Sequence, residues 1–261
     1  MAPRRARVGI IGLGFVGNTI YRRLVDGAVP GLDVGFVHDR RPERVAAAKS
    51  EHVVASLDHL EGVQVDLVVE CAGPDVTVEH GKSLLARWDY MPLSVTALAD
   101  DRLLEDLLAA ARASGTRLLV PHGALAGMDA LYERREVWSE VTITFRKPPQ
   151  HIEGARGVTG ERTVLYDGPV RGVASRYPRN VNAMVGCALA TVGLDRCRAV
   201  LIADPDLNEL IAEVRAVGRD GSVLEIVKRQ PGVGVSGTEM PDAVLRSIVL
   251  ATATADGLQF A

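Results

Sequence analysis

Apolar and polar positions follow two different rhythms along this chain, and the change falls near Pro121. Before it, short apolar runs predict strands at Val8–Gly12, Val34–Val37, Leu67–Glu70, Tyr90–Ser94 and Arg117–Val120. Between them, apolar positions recurring every three or four residues predict helices at Gly17–Asp26, Pro42–Lys49, Val76–Ala86 and Leu103–Ser114. Strands alternating with helices of this length read as a doubly wound parallel sheet. After Pro121 the style is that of half-buried antiparallel strands. Val141-Thr142-Ile143-Thr144-Phe145 alternates β-branched and polar residues. Further strands are expected at Thr163–Tyr166, Ala199–Ala203, Glu213–Val217 and Val223–Lys228, with a helix of small and apolar residues at Asn182–Thr191. The glycine- and charge-rich stretch from Pro148 to Glu161 reads as a mobile loop. The fold class is therefore α/β, a doubly wound sheet over residues 1–121 followed by an α+β substrate and dimerisation domain over 122–240. A last helix within 241–261 is expected to pack back on the first domain.

The first strand carries the most specific chemistry. It ends in Gly12-Leu13-Gly14-Phe15-Val16-Gly17, and twenty-two residues after Gly17 the second strand ends at Asp39. This Gly-x-Gly-x-x-Gly, in register with strand, helix and acid, is the dinucleotide-binding (Rossmann) pattern. Gly12 permits the turn, Gly14 lets backbone approach a pyrophosphate, and Gly17 lets the helix sit close on the strand. Phosphate would meet free N–H groups of Phe15 and Val16 at the positive end of the helix. Asp39 would accept hydrogen bonds from a ribose diol, which favours NAD, while Arg40 and Arg41 beside it could accept the 2′-phosphate of NADP. NAD or NADP is the expected cofactor.

Three later turns offer room for a ligand. Cys71-Ala72-Gly73-Pro74 and the turn around Ala97 in Ser94–Asp100 follow strands with small residues, and His122-Gly123-Ala124 stands at the domain handover. His122 is the acid/base candidate, since it alone of the six histidines lies on such a turn. In Pro178-Arg179-Asn180-Val181-Asn182, the amides of Asn180 and Asn182 are candidates to contact a nicotinamide carboxamide or a substrate carboxylate. Capping the next helix is the structural alternative for Asn180. Lys147 and Arg179 are candidate partners of a substrate carboxylate.

Composition narrows the partners. With 30 basic against 33 acidic side chains the net charge is −3, which gives no reason to expect nucleic acid or an anionic membrane as partner. No stretch approaches the ~20 apolar residues of a membrane span, and no separate apolar segment with a cleavage site follows Met1–Arg5. Three cysteines without Cys-x-x-Cys spacing imply a reducing, cytoplasmic compartment and no metal site.

Taken in order, the glycine turn, Val69-Glu70-Cys71-Ala72, Glu79-His80-Gly81, Ser94–Asp100, Gly123–Asp129, Arg146-Lys147-Pro148-Pro149, Pro178–Asn182 and Ile202-Ala203-Asp204-Pro205 resemble the L-aspartate dehydrogenase family, from about residue 6 to 250. Thr163–Gly172 also resembles the vertebrate aspartate-dehydrogenase-domain proteins. The resemblance implies a Rossmann domain with an α+β domain, a homodimer, and oxidation of L-aspartate to an imine or the reverse reductive amination. It also implies that the backbone at Ala124 and the amide of Asn182 contact the cofactor. One position departs. The family's proposed catalytic histidine falls in Leu210-Ile211-Ala212-Glu213, where Ala212 can transfer no proton. Three readings stay open: His122 takes over the role; the substrate is another small amino acid, imino acid or carboxylate, or only imine reduction is catalysed; or the chain binds the dinucleotide without turnover.

Overall fold

The structure is a computed structural model that describes residues 4–123 and 125–252. Contacts divide the chain into two compact units. The first holds the described residues through Leu93 together with Glu105–Pro121 and the stretch from Pro241 onward; the second holds Ser94–Leu104 and His122–Met240.

In the first unit, strands β1 (Ala6–Ile11), β2 (Leu32–His38), β3 (Leu67–Glu70) and β4 (Asp89–Pro92) form a parallel sheet in the order β2-β1-β3-β4. Single parallel bridges, Val37 with Val53 and Tyr90 with Leu118, add one residue at each edge. Read across those bridges, the order is the 3-2-1-4-5-6 arrangement of a doubly wound dinucleotide fold, with its outermost strands reduced to one residue. The expected strand at Arg117–Val120 is thus corrected to a bridge at Leu118. The Arg117 N–H is drawn to the Asp89 carboxylate (2.7 Å) rather than to a ladder carbonyl, and Pro121 follows at once. The two central strands are closed to water on both faces, as the parallel sheet requires: Val8, Ile10 and Ile11 of β1 and all four residues of β3, three of them apolar and the last Glu70, are buried.

Helix α1 (Phe15–Val25) buries Gly17, Ile20, Tyr21 and Leu24, the i, i+3, i+4, i+7 stripe of an amphipathic helix. Helix α2 is only Pro42–Val45, shorter than expected. The chain turns away beyond it, and the Lys49 N–H donates to the Tyr21 hydroxyl (2.8 Å). Helix α3 (Pro74–Leu85) has proline in its first turn, where the missing N–H costs nothing. Helix α4 (Asp101–Ser114) follows. The carboxy-terminal helix, Met240–Thr252, buries Val244, Leu245 and Ile248. It is tied to the first unit by Asp242 paired with Arg23 and by the Ala251 carbonyl, which accepts from Arg117 (2.8 Å).

The second unit is built on a five-stranded sheet. It comprises β5 (Trp138–Lys147), β6 (Thr163–Pro169), β7 (Arg198–Ala203), β8 (Leu210–Gly218) and β9 (Val223–Gln230), in the order β6-β7-β5-β8-β9. Only β5 and β7 are parallel. From Val141 onward β5 alternates buried and half-buried residues, so Val141, Ile143, Phe145 and Lys147 share the covered face. Before the sheet lies the short helix α5 (Met128–Glu133). Two helices, α6 (Val170–Arg176) and α7 (Asn182–Leu189), pack against the sheet. Helix α6 was not expected, because Pro169 and Gly172 break the apolar period. Gly172 is there for space: a Cβ would sit 2.2 Å from the Tyr166 hydroxyl.

The stretch after Pro148 carries more structure than its composition suggests. It is a loop that opens with a 3-10 turn at Pro149–His151 and buries Pro149, Ile152 and Ala155. Among the described residues, no helix is long and apolar enough to cross a membrane.

Candidate functional site

The end of β1 can follow its path only without side chains. Gly12 has φ +94°, and a Cβ there would lie 2.7 Å from the backbone N and Cα of Ala72. A Cβ on Gly17 would lie 1.9 Å from the Gly12 carbonyl oxygen. Helix α1 therefore starts directly against the turn. The N–H groups of its first residues, Phe15 and Val16, have no carbonyl within the helix to bind, and its first turn holds no acidic residue. Bare backbone donors at the positive end of a helix suit a pyrophosphate. By this test the cradle fits a dinucleotide.

The Cys71-Ala72-Gly73 turn forms the facing wall. Glu70, fully buried at the end of β3, accepts the N–H groups of Ala72 (2.5 Å) and Gly73 (2.6 Å) on one carboxylate oxygen. This folds the turn against Gly12. Burial, and secondarily the Glu70 charge, push the Cys71 thiol well up, so it stays protonated and acts as a small apolar contact.

Asp39 does more within the protein than its position suggested. Its side chain is only 4% exposed. One oxygen accepts the Leu13 N–H (2.8 Å), and the other accepts the Arg41 N–H (3.0 Å). The Arg44 guanidinium lies 3.4 Å away. Burial raises its pKa, but those two N–H groups and Arg44 outweigh it, and the net shift is downward. Arg40 is exposed beside it. Arg44 and Glu70 escaped the sequence reading. Arg44 was findable as a basic residue five positions beyond Asp39, but Glu70 looked like an ordinary strand end.

In the second unit, Ala97 is buried in a 3-10 turn at Val95–Ala99. The N–H and the hydroxyl of neighbouring Thr96 both reach Asn182 Oδ1 at 3.0 Å, so Thr96 fixes the orientation of that amide at the start of α7. Val181, not Asn180, is the N-cap. Asn180 is buried, its Oδ1 accepting the Glu153 N–H (3.1 Å) and its Nδ2 donating to the His151 carbonyl (3.0 Å). Its own carbonyl accepts from Lys147 Nζ (3.1 Å). Asn180 thus clamps the 149–155 stretch and seats Lys147. Asn180→Ala is expected to destabilise the protein by about 1–2 kcal/mol, since it removes two hydrogen bonds to part-buried backbone groups; a urea midpoint shift at unchanged slope is the check.

Lys147 is 5% exposed, and burial lowers its pKa to about 8. Ala212 lies opposite Phe145 on β8. It therefore shares the covered face with Lys147, one diagonal step away. His122 is exposed, and its carbonyl accepts the Leu125 N–H (3.1 Å). Arg179 is exposed, with its guanidinium 3.8 Å from the Glu153 carboxylate. Ala124, expected to offer backbone to the cofactor, lies outside the described residues. The structure thus gathers Gly12, Gly14, Phe15, Val16, Gly17, Asp39 and Ala72 in one unit. In the other it gathers Ala97 with Asn182, and Asn180 with Lys147.

Backbone that would collide with itself if Gly12 or Gly17 carried a side chain, at the carboxyl end of a parallel sheet, belongs to a dinucleotide-binding protein. Comparison with known proteins narrows that class to NAD(P)-dependent oxidoreductases. Residues 12–121 match the family described as "Homoserine dehydrogenase, NAD binding domain", and residues 129–239 match "Aspartate dehydrogenase, C-terminal". L-aspartate dehydrogenase 1 of Bordetella pertussis is 36% identical over 256 residues, covering 94% of this chain and 97% of its own. L-aspartate dehydrogenase of Ruegeria pomeroyi is 40% identical over 193 residues, 69% of this chain and 70% of its own. The crystal structure of aspartate dehydrogenase from Thermotoga maritima shares the fold with a TM-score of 0.73 at 23% identity, covering 97% of this chain and all of that one. The chain belongs to the L-aspartate dehydrogenase family.

Proposed function

We propose that this chain oxidises the C–N bond of L-aspartate, or of a closely similar amino acid, to the imine, and runs the reverse reduction. What supports the reading is the glycine cradle in a chain that matches an aspartate dehydrogenase along nearly its whole length. The dinucleotide, when bound, supplies the acceptor for the hydride that leaves Cα. The chain does the rest by holding and by moving protons. Gly12, Gly14, Phe15, Val16 and Gly17 hold the pyrophosphate on backbone N–H groups, with Cys71 and Ala72 as the opposing wall. Lys147 offers its buried cation to a substrate carboxylate, Asn180 seats it, and the Asn182 amide, oriented by Thr96 beside Ala97, orients cofactor or substrate. His122 accepts the proton that the substrate ammonium loses before the C=N bond forms. With that proton and the hydride gone, CH–NH3+ becomes C=NH2+, which water hydrolyses to the keto acid and ammonium. The reading includes a homodimer in the cytoplasm, in keeping with three free cysteines.

A second reading, a dinucleotide binder without turnover, is favoured by Ala212, which brings only a methyl group to the face it shares with Lys147. The two separate by following the absorbance of the reduced nicotinamide. L-aspartate and a panel of small amino acids are supplied with NAD or NADP, and oxaloacetate plus ammonia with the reduced forms. Turnover on aspartate is expected, and His122→Ala is expected to remove one limb of the pH–rate profile. Cofactor binding without turnover on any substrate of the panel would favour the silent binder.

A further inference from the structure

We propose that the adenosine end of the site is built for a 2′-phosphate, with Arg44 and Arg41 as its anion-binding pair and Asp39 as a strut of the glycine turn. This rests on the dinucleotide reading above and decides which dinucleotide the chain prefers.

A carboxylate that selects a ribose diol needs free lone pairs and a negative local field. Asp39 has neither. A carboxylate offers about four acceptor positions. Two are taken by the Leu13 and Arg41 N–H groups, and two are faced by guanidinium nitrogens, Arg44 Nη1 at 3.4 Å and Arg41 Nε at 3.6 Å. The Leu13 contact runs from the end of β2 into the glycine turn, so the carboxylate holds that turn in place. One acid set against two guanidiniums leaves the cluster net positive, and exposed Arg40 adds a third cation.

Position completes the argument. The residue that follows the glycine turn by about twenty positions meets the ribose 2′ substituent. Arg44 Nη1 lies 3.4 Å from the carboxylate of that residue, Asp39, and 3.3 Å from where a Gly14 side chain would begin, between the 2′ position and the pyrophosphate turn. The Arg44 side chain is about a third exposed and that of Arg41 about half, so each keeps guanidinium nitrogens open to a ligand while another faces Asp39. A planar guanidinium matches a phosphate bidentately.

The test uses adenosine fragments, which need no turnover. Adenosine 2′,5′-bisphosphate and 5′-AMP differ only in the 2′-phosphate. Titrated calorimetrically into the full chain at low salt, the bisphosphate is expected to bind about tenfold or more tighter, with the advantage shrinking as salt is raised. Arg44→Gln is expected to bring the ratio to within about threefold of unity while leaving 5′-AMP affinity in place; Arg41→Gln should take a smaller share. Equal or weaker binding of the bisphosphate by the unmodified chain would overturn the proposal. So would an Arg44→Gln variant that weakens both ligands alike, since Arg44 would then serve the pyrophosphate or the fold. If neither fragment binds, and neither NAD nor NADP does, the dinucleotide reading itself falls, a result distinct from a lost preference.

Discussion

Gly17→Ala is expected to abolish dinucleotide binding, with affinity falling by more than about 100-fold, roughly 3 kcal/mol. The new Cβ would lie 1.9 Å from the Gly12 carbonyl oxygen, 3.1 Å from the Gly12 carbonyl carbon and 3.2 Å from Cys71 Cβ. The two nearest of these are backbone atoms and cannot swing aside. Either α1 lifts from the sheet or the Gly12 turn opens, and each moves the Phe15 and Val16 N–H groups away from a common phosphate. Overpacking of this kind also costs about 1–3 kcal/mol of stability. Gly14→Ala is the informative contrast. Its φ is −73°, and the nearest atom to its Cβ is the flexible end of Arg44 at 3.3 Å. It should melt close to the unmodified protein while still weakening the cofactor, whose backbone approach a methyl group obstructs. Thermal melts beside fluorescence titrations with NAD and NADP check both. A Gly17→Ala protein that binds normally would mean that α1 does not deliver the phosphate contacts.

The glycine turn, the parallel sheet and the second, mostly antiparallel sheet were legible because each rests on a local rule: a period of two, a period of 3.6, or a position that tolerates no side chain. What escaped depends on side chains meeting across distance in sequence. That Glu70 would turn back on the N–H groups of Ala72 and Gly73 is invisible in a strand ending Leu-Val-Val-Glu. Asp39 was findable as an acid in register, but not as one whose acceptors are taken by Leu13 and Arg41, because that depends on the path of the turn. The stretch after Pro148 reads as loose by composition. Pro149, Ile152 and Ala155 are its buried anchors, and the Asn180 amide that fastens it lies some thirty positions away. Helix α6 was missed for a related reason, since Gly172 answers to Tyr166 and not to helix propensity.

Lys147→Met is expected to stabilise the protein at pH 7 while removing its activity. In the folded chain burial lowers the ammonium pKa from the usual 10.5 to about 8. Between those two values the unfolded chain carries more protons than the folded one. Stability therefore rises with pH across that window, and below pH 8 the full cost of burying the charge is present, about 3 kcal/mol. Methionine fills a similar volume without charge. Against its gain stands the lost hydrogen bond to the Asn180 carbonyl, worth about 1 kcal/mol. The variant should thus be more stable by about 2 kcal/mol at pH 7. That advantage should shrink from pH 8 upward and be gone by pH 10.5, which urea midpoints at several pH values would show. A variant less stable at pH 7, or a gap that does not narrow, would mean that the ammonium is solvated or paired in solution. Losing the cation opposite a substrate carboxylate costs about 2–5 kcal/mol, so KM for aspartate should rise roughly 30- to 5,000-fold. An ammonium held by one carbonyl and the Phe145 ring, 4.8 Å away, destabilises the fold that contains it. Retaining a lysine there makes sense when its charge, or its readiness to give up a proton near pH 8, serves a ligand rather than the fold.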